Sequence, residues 1–287
     1  MANLKELRNR IASVGSTMQI TSAMKMVSAA KLKRAQDAIV QLRPYANKLR
    51  EILGNISGSL NESESAFTRQ GEIKRVLLVI INSNRGLCGA FNANVAKKAK
   101  RSIEAHRALG REVELVVIGK KAFDAFKAYG LTIKQNRSDV YDGLSFERTS
   151  EIATWLMEEF SAGRYDLVSL VYNQFKNAAV QITVDEPFLP VTVEQTDNLV
   201  SKDYIFEPSR QSILEDLIPN TLKTQLFKAI LDSNAAENGA RMTAMHKATD
   251  NAKELQRALL LDYNKARQAA ITNEILEIVG GAEALKG

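Results

Sequence analysis

An apolar repeat of about 3.5 residues opens the chain. Positions 4, 7, 11, 14, 18, 21, 25, 28, 32, 35, 39, 42, 46, 49, 53 and 56 are all apolar except Thr21, Lys25 and Ser28. Such a seam is too narrow for a globular core and fits one partner helix, as in a coiled coil. At about 1.5 Å per residue, fifty or more residues give a rod of roughly 80 Å. Pro44 is expected to kink this helix or be absorbed by it, and Gly54 and Gly58 to end it. The polar stretch "NESESAFTRQGE" then reads as a linker.

A second seam lies at the other end. Positions 227, 231, 245, 248, 252, 255, 259, 266, 269 and 276 are Phe, Leu, Met or Ala, with Asn234, Asn238, Arg241, Asp262 and Asn273 interrupting them. Polar residues in a seam weaken a coiled coil but fix its register and partner. This helix is expected from about residue 220, with Pro219 near its start, to Gly280 and Gly281. Two terminal helices, spanning 1–60 and 219–287, pair most simply as a long antiparallel coiled coil. Separate packing of each helix on a globular body is the alternative.

Between them the period changes. "VLLVII" at 76–81 suits a strand buried on both faces, and helix and strand patterns then alternate through "EVELVVI", "GKKAFDAFKAYG", "FERTSEIATWLMEEFSAG" and "YDLVSLVY". "AAVQITVDEPFLPV" reads as a closing strand. This is an α/β domain of Rossmann-like type with a mainly parallel sheet, over about 70–215.

Such a domain invites an enzyme reading, which its loops do not support. Gly86 and Gly89 precede a helix but lack the G-x-G-x-x-G spacing; Gly119 is followed by Lys120 and Lys121, with Glu114 where a phosphate loop needs Gly and Lys121 where it needs Ser or Thr. His106 and His246 stand far apart in helical surroundings, and Cys88 is the only cysteine. No disulfide, metal ligand set or cofactor site is expected. Arg85 beside Cys88 suggests a somewhat activated thiol, although a lone cysteine is more often structural. No run reaches the roughly 18 to 20 apolar residues of a membrane span.

Charge is unevenly spread. Residues 1–60 hold ten Lys or Arg against three acids, an excess of seven in a chain whose net charge is +6. The acidic partner this implies could be a nucleic acid, a membrane surface or an acidic protein; a solvated helix face is the alternative. A basic coiled-coil nucleic-acid binder or scaffold is therefore a second functional reading, weakened because no aromatic stacking set accompanies the basic residues.

Four segments carry a resemblance. "ITSAMKMVSAAKLKRA", "SNRGLCGAFN", "ARMTAMHKATDNA" and "YNKARQAAITNEILEIVGGAEAL" resemble, in order and spacing, the gamma-subunit family of the rotary, proton-translocating ATP synthase. The last fits the family signature I-T-x-E-x-x-E-x-x-x-G-A at Ile271, Thr272, Glu274, Glu277, Gly281 and Ala282. The resemblance implies a rotor shaft: the paired terminal helices enter a hexamer of alpha and beta subunits, and the α/β domain is a foot on the epsilon subunit and the c-subunit ring. It also implies a non-catalytic chain without cofactor, coupling ring rotation to the beta-subunit sites, with no nucleic-acid partner.

By position, Arg267, Gln268, Thr272 and Glu274 match the catch segment that meets beta or alpha. Met24, Lys25, Arg85 and Cys88 match positions near the acidic lever of beta, and Tyr204 and Glu207 match the foot near epsilon and the c ring. Asn84 replaces the family's usual Asp, so any salt bridge of that acid is expected to be absent or altered. Gly239 inside the second helix is expected to cost about 1 kcal/mol relative to Ala and to soften it. The paired regulatory cysteines of chloroplast relatives are missing. Without a transit peptide before "MANLKELRNRIASV", the expected location is the cytoplasmic face of a bacterial inner membrane, peripherally bound.

Overall fold

A computed structural model of the chain describes residues 4–57, 67, 71–191 and 210–284. The elements run α1 (Leu4–Ser57), β1 (Arg75–Ile81), α2 (Phe91–Ala108), β2 (Glu112–Ile118), α3 (Lys120–Lys127) and β3 (Ile133–Asn136). A 3-10 turn (Ser138–Asp142), α4 (Phe146–Ser161), β4 (Leu167–Phe175), β5 (Gln181–Leu189) and α5 (Arg210–Ala284) follow. They divide into two compact units, one of Met1–Ser28 with Met242–Gly287 and one of Ala29–Arg241.

In the first unit the two chain ends are antiparallel partners. Arg8 Nη2 donates to Tyr263 Oη at 3.0 Å, Thr249 Oγ1 lies 2.9 Å from Thr21 Oγ1, and Lys25 Nζ lies 3.4 Å from His246 Nδ1. Numbers that rise along α1 meet numbers that fall along α5. On α1, every described seam position from 4 to 49 is buried or half-buried, including Thr21, Lys25 and Ser28. The seam therefore does not lapse at these three residues. Ser28 Oγ donates to Met24 O at 2.8 Å, and Thr21 and Lys25 reach across to α5, so each polar group is satisfied inside the seam.

On α5 the seam differs from the expected register. Gln256 and Tyr263 are half-buried, whereas Leu255 is 47% exposed and positions 269 and 276 are exposed. The cause is Gly15, where a β-carbon would stand 3.2 Å from Gln256 Nε2: the missing side chain on α1 makes room for the long one on α5. Beyond Ala266 the described part of α5 is exposed all round, because α1 begins at Leu4 and its antiparallel register has run out.

In the second unit a five-stranded sheet has the order β3-β2-β1-β4-β5. Its first four strands are parallel and β5 returns antiparallel to β4. β1 is buried on both faces, as its unbroken apolar run requires. Leu77, Val79 and Ile81 pack with Ile152, Leu156 and Phe160 of α4 and with Ile218, Leu222 and Leu226 of α5. Val76, Leu78 and Ile80 pack with Val95 and Ile103 of α2 and Phe126 of α3. Each such side chain contributes about 1.5–3 kcal/mol on burial.

Helix α5 corrects three expectations. It starts at Arg210, so Pro219 lies inside it, and it continues through Gly280 and Gly281 to Ala284. Ile218, Leu222 and Leu226 bury its early turns in the core, which offsets the backbone bond that proline removes. Gly239 is a packing residue and not a soft point: a β-carbon there would stand 3.2 Å from Ala178 Cα and 3.5 Å from Phe175 Cε2, so its absence lets the β4–β5 hairpin lie against α5.

One buried acid sits badly for the fold. Asp232 on α5 is 6% exposed, and burial pushes its carboxyl up from 3.8 to about 6; Lys228 and Arg43 oppose that rise and Glu186 adds to it. The native state then holds a proton that the unfolded chain releases, so stability falls as pH rises from about 4 to 6 and stays lower above. Asp232→Asn should raise the urea-derived unfolding free energy at pH 8 by roughly 2–3 kcal/mol and change it little at pH 4. An equal effect at both values would contradict the titration.

Candidate functional site

The loop from β1 to α2 is built from its own polar side chains. Asn82 N donates to Ile118 O at 2.8 Å, tying the end of β1 to that of β2. Gly119 just beyond has φ 110°, and a β-carbon there would stand 2.2 Å from Asn82 O, so no other residue fits. Ser83 Oγ lies 2.7 Å from Arg85 O and 2.8 Å from Asn92 Oδ1. The Asn82 amide is thus used in the sheet and the Ser83 hydroxyl within the loop.

Asn84 shows why an amide suits this position. Its Nδ2 donates to Ser138 O at 2.9 Å while its Oδ1 accepts from Lys120 N at 2.9 Å. A carboxylate could make only the second bond and would set one acceptor oxygen against another at the Ser138 carbonyl.

Cys88 is 1% exposed and packs with Phe91 and Ala236. Burial pushes its thiol up, and the contact with Ser83 only partly counters this. The expectation of a thiol activated by Arg85 is therefore wrong: the Arg85 side chain is exposed while the sulfur points inward, where Asn92 Nδ2 donates to it at 3.1 Å. Cys88 is a prop under the loop and offers a partner no surface.

The loop is held from α5. Arg241, 9% exposed, donates to the carbonyl of Gly86 and, at 3.5 Å, to that of Arg85, and it pairs with Glu237 one turn away. Burial raises the Glu237 carboxyl and Arg241 counters the rise. In the sequence alone Arg241 stands only as an interruption of a seam. The missed signal is an acid and a base four residues apart in an otherwise Ala- and Met-rich segment.

In the unit formed by the chain ends, Met24 and Lys25 are half-buried. Beside them Ile20, Met26 and Val27 are 56–63% exposed, which leaves an apolar strip on α1. Arg267, Gln268, Thr272 and Glu274 share the exposed end of α5, where Thr272 Oγ1 donates to Gln268 O at 2.9 Å. Ile271, Ile275, Leu276, Ile278 and Val279 are exposed among them. Tyr204 and Glu207 lie outside the described residues. Among the described residues no group of three or more His, Cys, Asp or Glu could hold a metal, and no helix is long and apolar enough to cross a membrane.

The chain thus joins two paired chain ends to a sheet unit whose β1–α2 loop is clamped by Arg241. The family described as ATP synthase matches residues 3–285. A relative from Flavobacterium psychrophilum named ATP synthase gamma chain is 60% identical over 289 residues, covering 100% of both chains. The chain belongs to the ATP synthase gamma chain family. A second relative of that name, from Flavobacterium johnsoniae, is 59% identical over 293 residues, again with 100% of each covered. Among solved structures, the Tetrahymena thermophila mitochondrial ATP synthase, central stalk and c ring, has a chain 25% identical with a TM-score of 0.59, over 80% of this chain and 99% of that one. A chain of the Euglena gracilis mitochondrial ATP synthase shares the fold, with a TM-score of 0.70 at 23% identity over 98% of this chain and 94% of its own.

The clamp gives a direct test. Arg241→Ala strands the buried Glu237 carboxylate and should cost about 3–5 kcal/mol of unfolding free energy. Amide exchange at residues 84–89 should quicken with it; unchanged exchange there would show that the loop stands without the clamp.

Proposed function

We infer that this gamma-family chain is the central rotor shaft of a proton-driven ATP synthase, a non-catalytic subunit of the complex. The ATP chemistry belongs to the beta subunit. The paired helices, within 1–60 and 219–287, form the shaft inside a hexamer of alpha and beta subunits, and residues 70–215 form the foot toward epsilon and the c ring. The complex sits at the cytoplasmic face of the bacterial inner membrane, to which this chain is peripheral.

The observation that supports this most is the end of α5. There, five large apolar side chains stand in water on a helix that has outrun its partner. Exposed apolar surface of that extent marks a contact with another protein. Arg267, Gln268, Thr272 and Glu274 supply polar groups to hold alpha or beta loops at the same level. Met24, Lys25 and Arg85 are the lever contacts, with Cys88 supporting the loop from below, and Tyr204 and Glu207 belong to the foot.

Rotation couples to chemistry through contact energy. A bound element shifts a conformational equilibrium only by interacting more favourably with one state than another. A shaft with an apolar strip on one side and basic side chains elsewhere offers each of three beta subunits a different face. Turning it moves each site through binding, synthesis and release.

Arg267→Ala with Gln268→Ala should lower ATP turnover of the assembled complex by about tenfold while leaving its assembly yield nearly unchanged. Equal turnover would remove both residues from coupling. The purified chain alone should hydrolyse no ATP, and any turnover that copurifies with it through successive columns would contradict a non-catalytic role.

A further inference from the structure

Leu87 stands where the fold alone gives leucine no advantage. Its φ is 63°, in the left-handed region that favours glycine, and its side chain is 66% exposed. A branched side chain in that conformation crowds its own carbonyl, and the exposed isobutyl group gains nothing by burial. Gly89, two residues on, adopts a similar φ of 60° without that conflict. Strained, exposed positions persist where a partner uses them.

The base of the loop is fixed, so Leu87 is presented and not loose. Arg241 holds the carbonyls on its amino-terminal side, at Arg85 and Gly86, and Cys88 on its other side is buried against Phe91 and Ala236. Three exposed cations lie in this loop or at the helix start bonded to it. Arg85 lies in the same loop; Lys121 N donates to Ser83 O at 3.0 Å and Lys120 N to Asn84 Oδ1, which brings the start of α3 to the loop. None of the three takes part in an ion pair among the described residues.

We propose that Leu87 is the apolar anchor of a protein-docking face that also carries Arg85, Lys120 and Lys121, and whose partner presents an apolar socket bordered by carboxylates. This rests on the reading that the loop faces the lever of the beta subunit, and it names the residue that enters that partner. One knob in a fixed backbone conformation suits a shaped socket, whereas a lipid surface needs no such geometry. None of these four residues is aromatic, so none can stack on a nucleic-acid base. The cations add attraction that salt screens, and the leucine adds fit.

The test uses the full chain, free and assembled with alpha and beta subunits, and the variants Leu87→Asn and Lys120→Glu with Lys121→Glu. Asparagine accepts the left-handed conformation, so free Leu87→Asn should unfold at the same temperature as the unaltered chain or higher. On assembly, the unaltered chain should gain hydrogen-exchange protection at residues 84–90. Leu87→Asn and the double lysine variant should each gain at least about fivefold less, as for loss of a central anchor. A Leu87→Asn chain that assembles with full protection overturns the proposal, as does a free variant that melts lower, since Leu87 would then pack within its own chain. Binding of the free chain to phosphatidylglycerol vesicles that Leu87→Asn abolishes overturns the choice of a protein partner. Failure of the unaltered chain to gain any protection overturns the lever reading beneath it.

Discussion

Everything in the first unit follows from α1 and α5 pairing antiparallel along one narrow seam. With Arg8 opposite Tyr263 and Lys25 opposite His246, the register is set, and it runs out on α5 once α1 has reached its first turn. The exposed stretch after Ala266 is therefore a consequence of unequal helix lengths and not of a missing core. Apolar seams alone slide easily by a heptad. The contacts of Thr21 with Thr249, of Lys25 with His246 and of Gly15 with Gln256 make one register better than its neighbours.

The second unit spends buried charge to hold a loop. A buried ion pair seldom adds stability over an apolar pair of the same size, since desolvation offsets attraction. Arg241 and Glu237 are better understood by what they position. Arginine has donors left after pairing, and those donors fix the Arg85 and Gly86 carbonyls. Asn84, Ser83 and Gly119 secure the same loop from the sheet side. The loop's backbone is thereby held from the α5 side and from the sheet side.

The α1 seam and the alternation of helix and strand were legible because each is a repeated pattern in which single exceptions average out. The α/β class, the closing strand at Gln181–Leu189 and the family likeness in four segments could be seen in this way. What could not be seen depends on pairs distant in sequence. Gly239 reads as a weak helix residue until Ala178 is placed beside it, and Leu255 reads as a seam residue until Gly15 opens a space for Gln256. Cys88 near Arg85 suggests reactivity in one dimension, yet in space Arg85 is exposed while Cys88 is buried, and burial decides the thiol. The start of α5 differs for a related reason: proline signals a local preference, and core contacts at Ile218 and Leu222 outweigh it at Pro219.

The family, the paired chain ends and the stiffened loop agree on a chain whose work is mechanical. Exposed apolar groups stand at the end of α5, and the buried Arg241 fixes the Arg85 and Gly86 carbonyls of the β1–α2 loop. The most direct measurement is to anchor the alpha–beta hexamer on a surface, attach a bead to the α/β unit of this chain, and supply ATP. Stepwise rotation of the bead in one direction, at a rate that follows ATP turnover, is the predicted result. ATP hydrolysis by the assembled complex with a bead that only fluctuates would contradict the account.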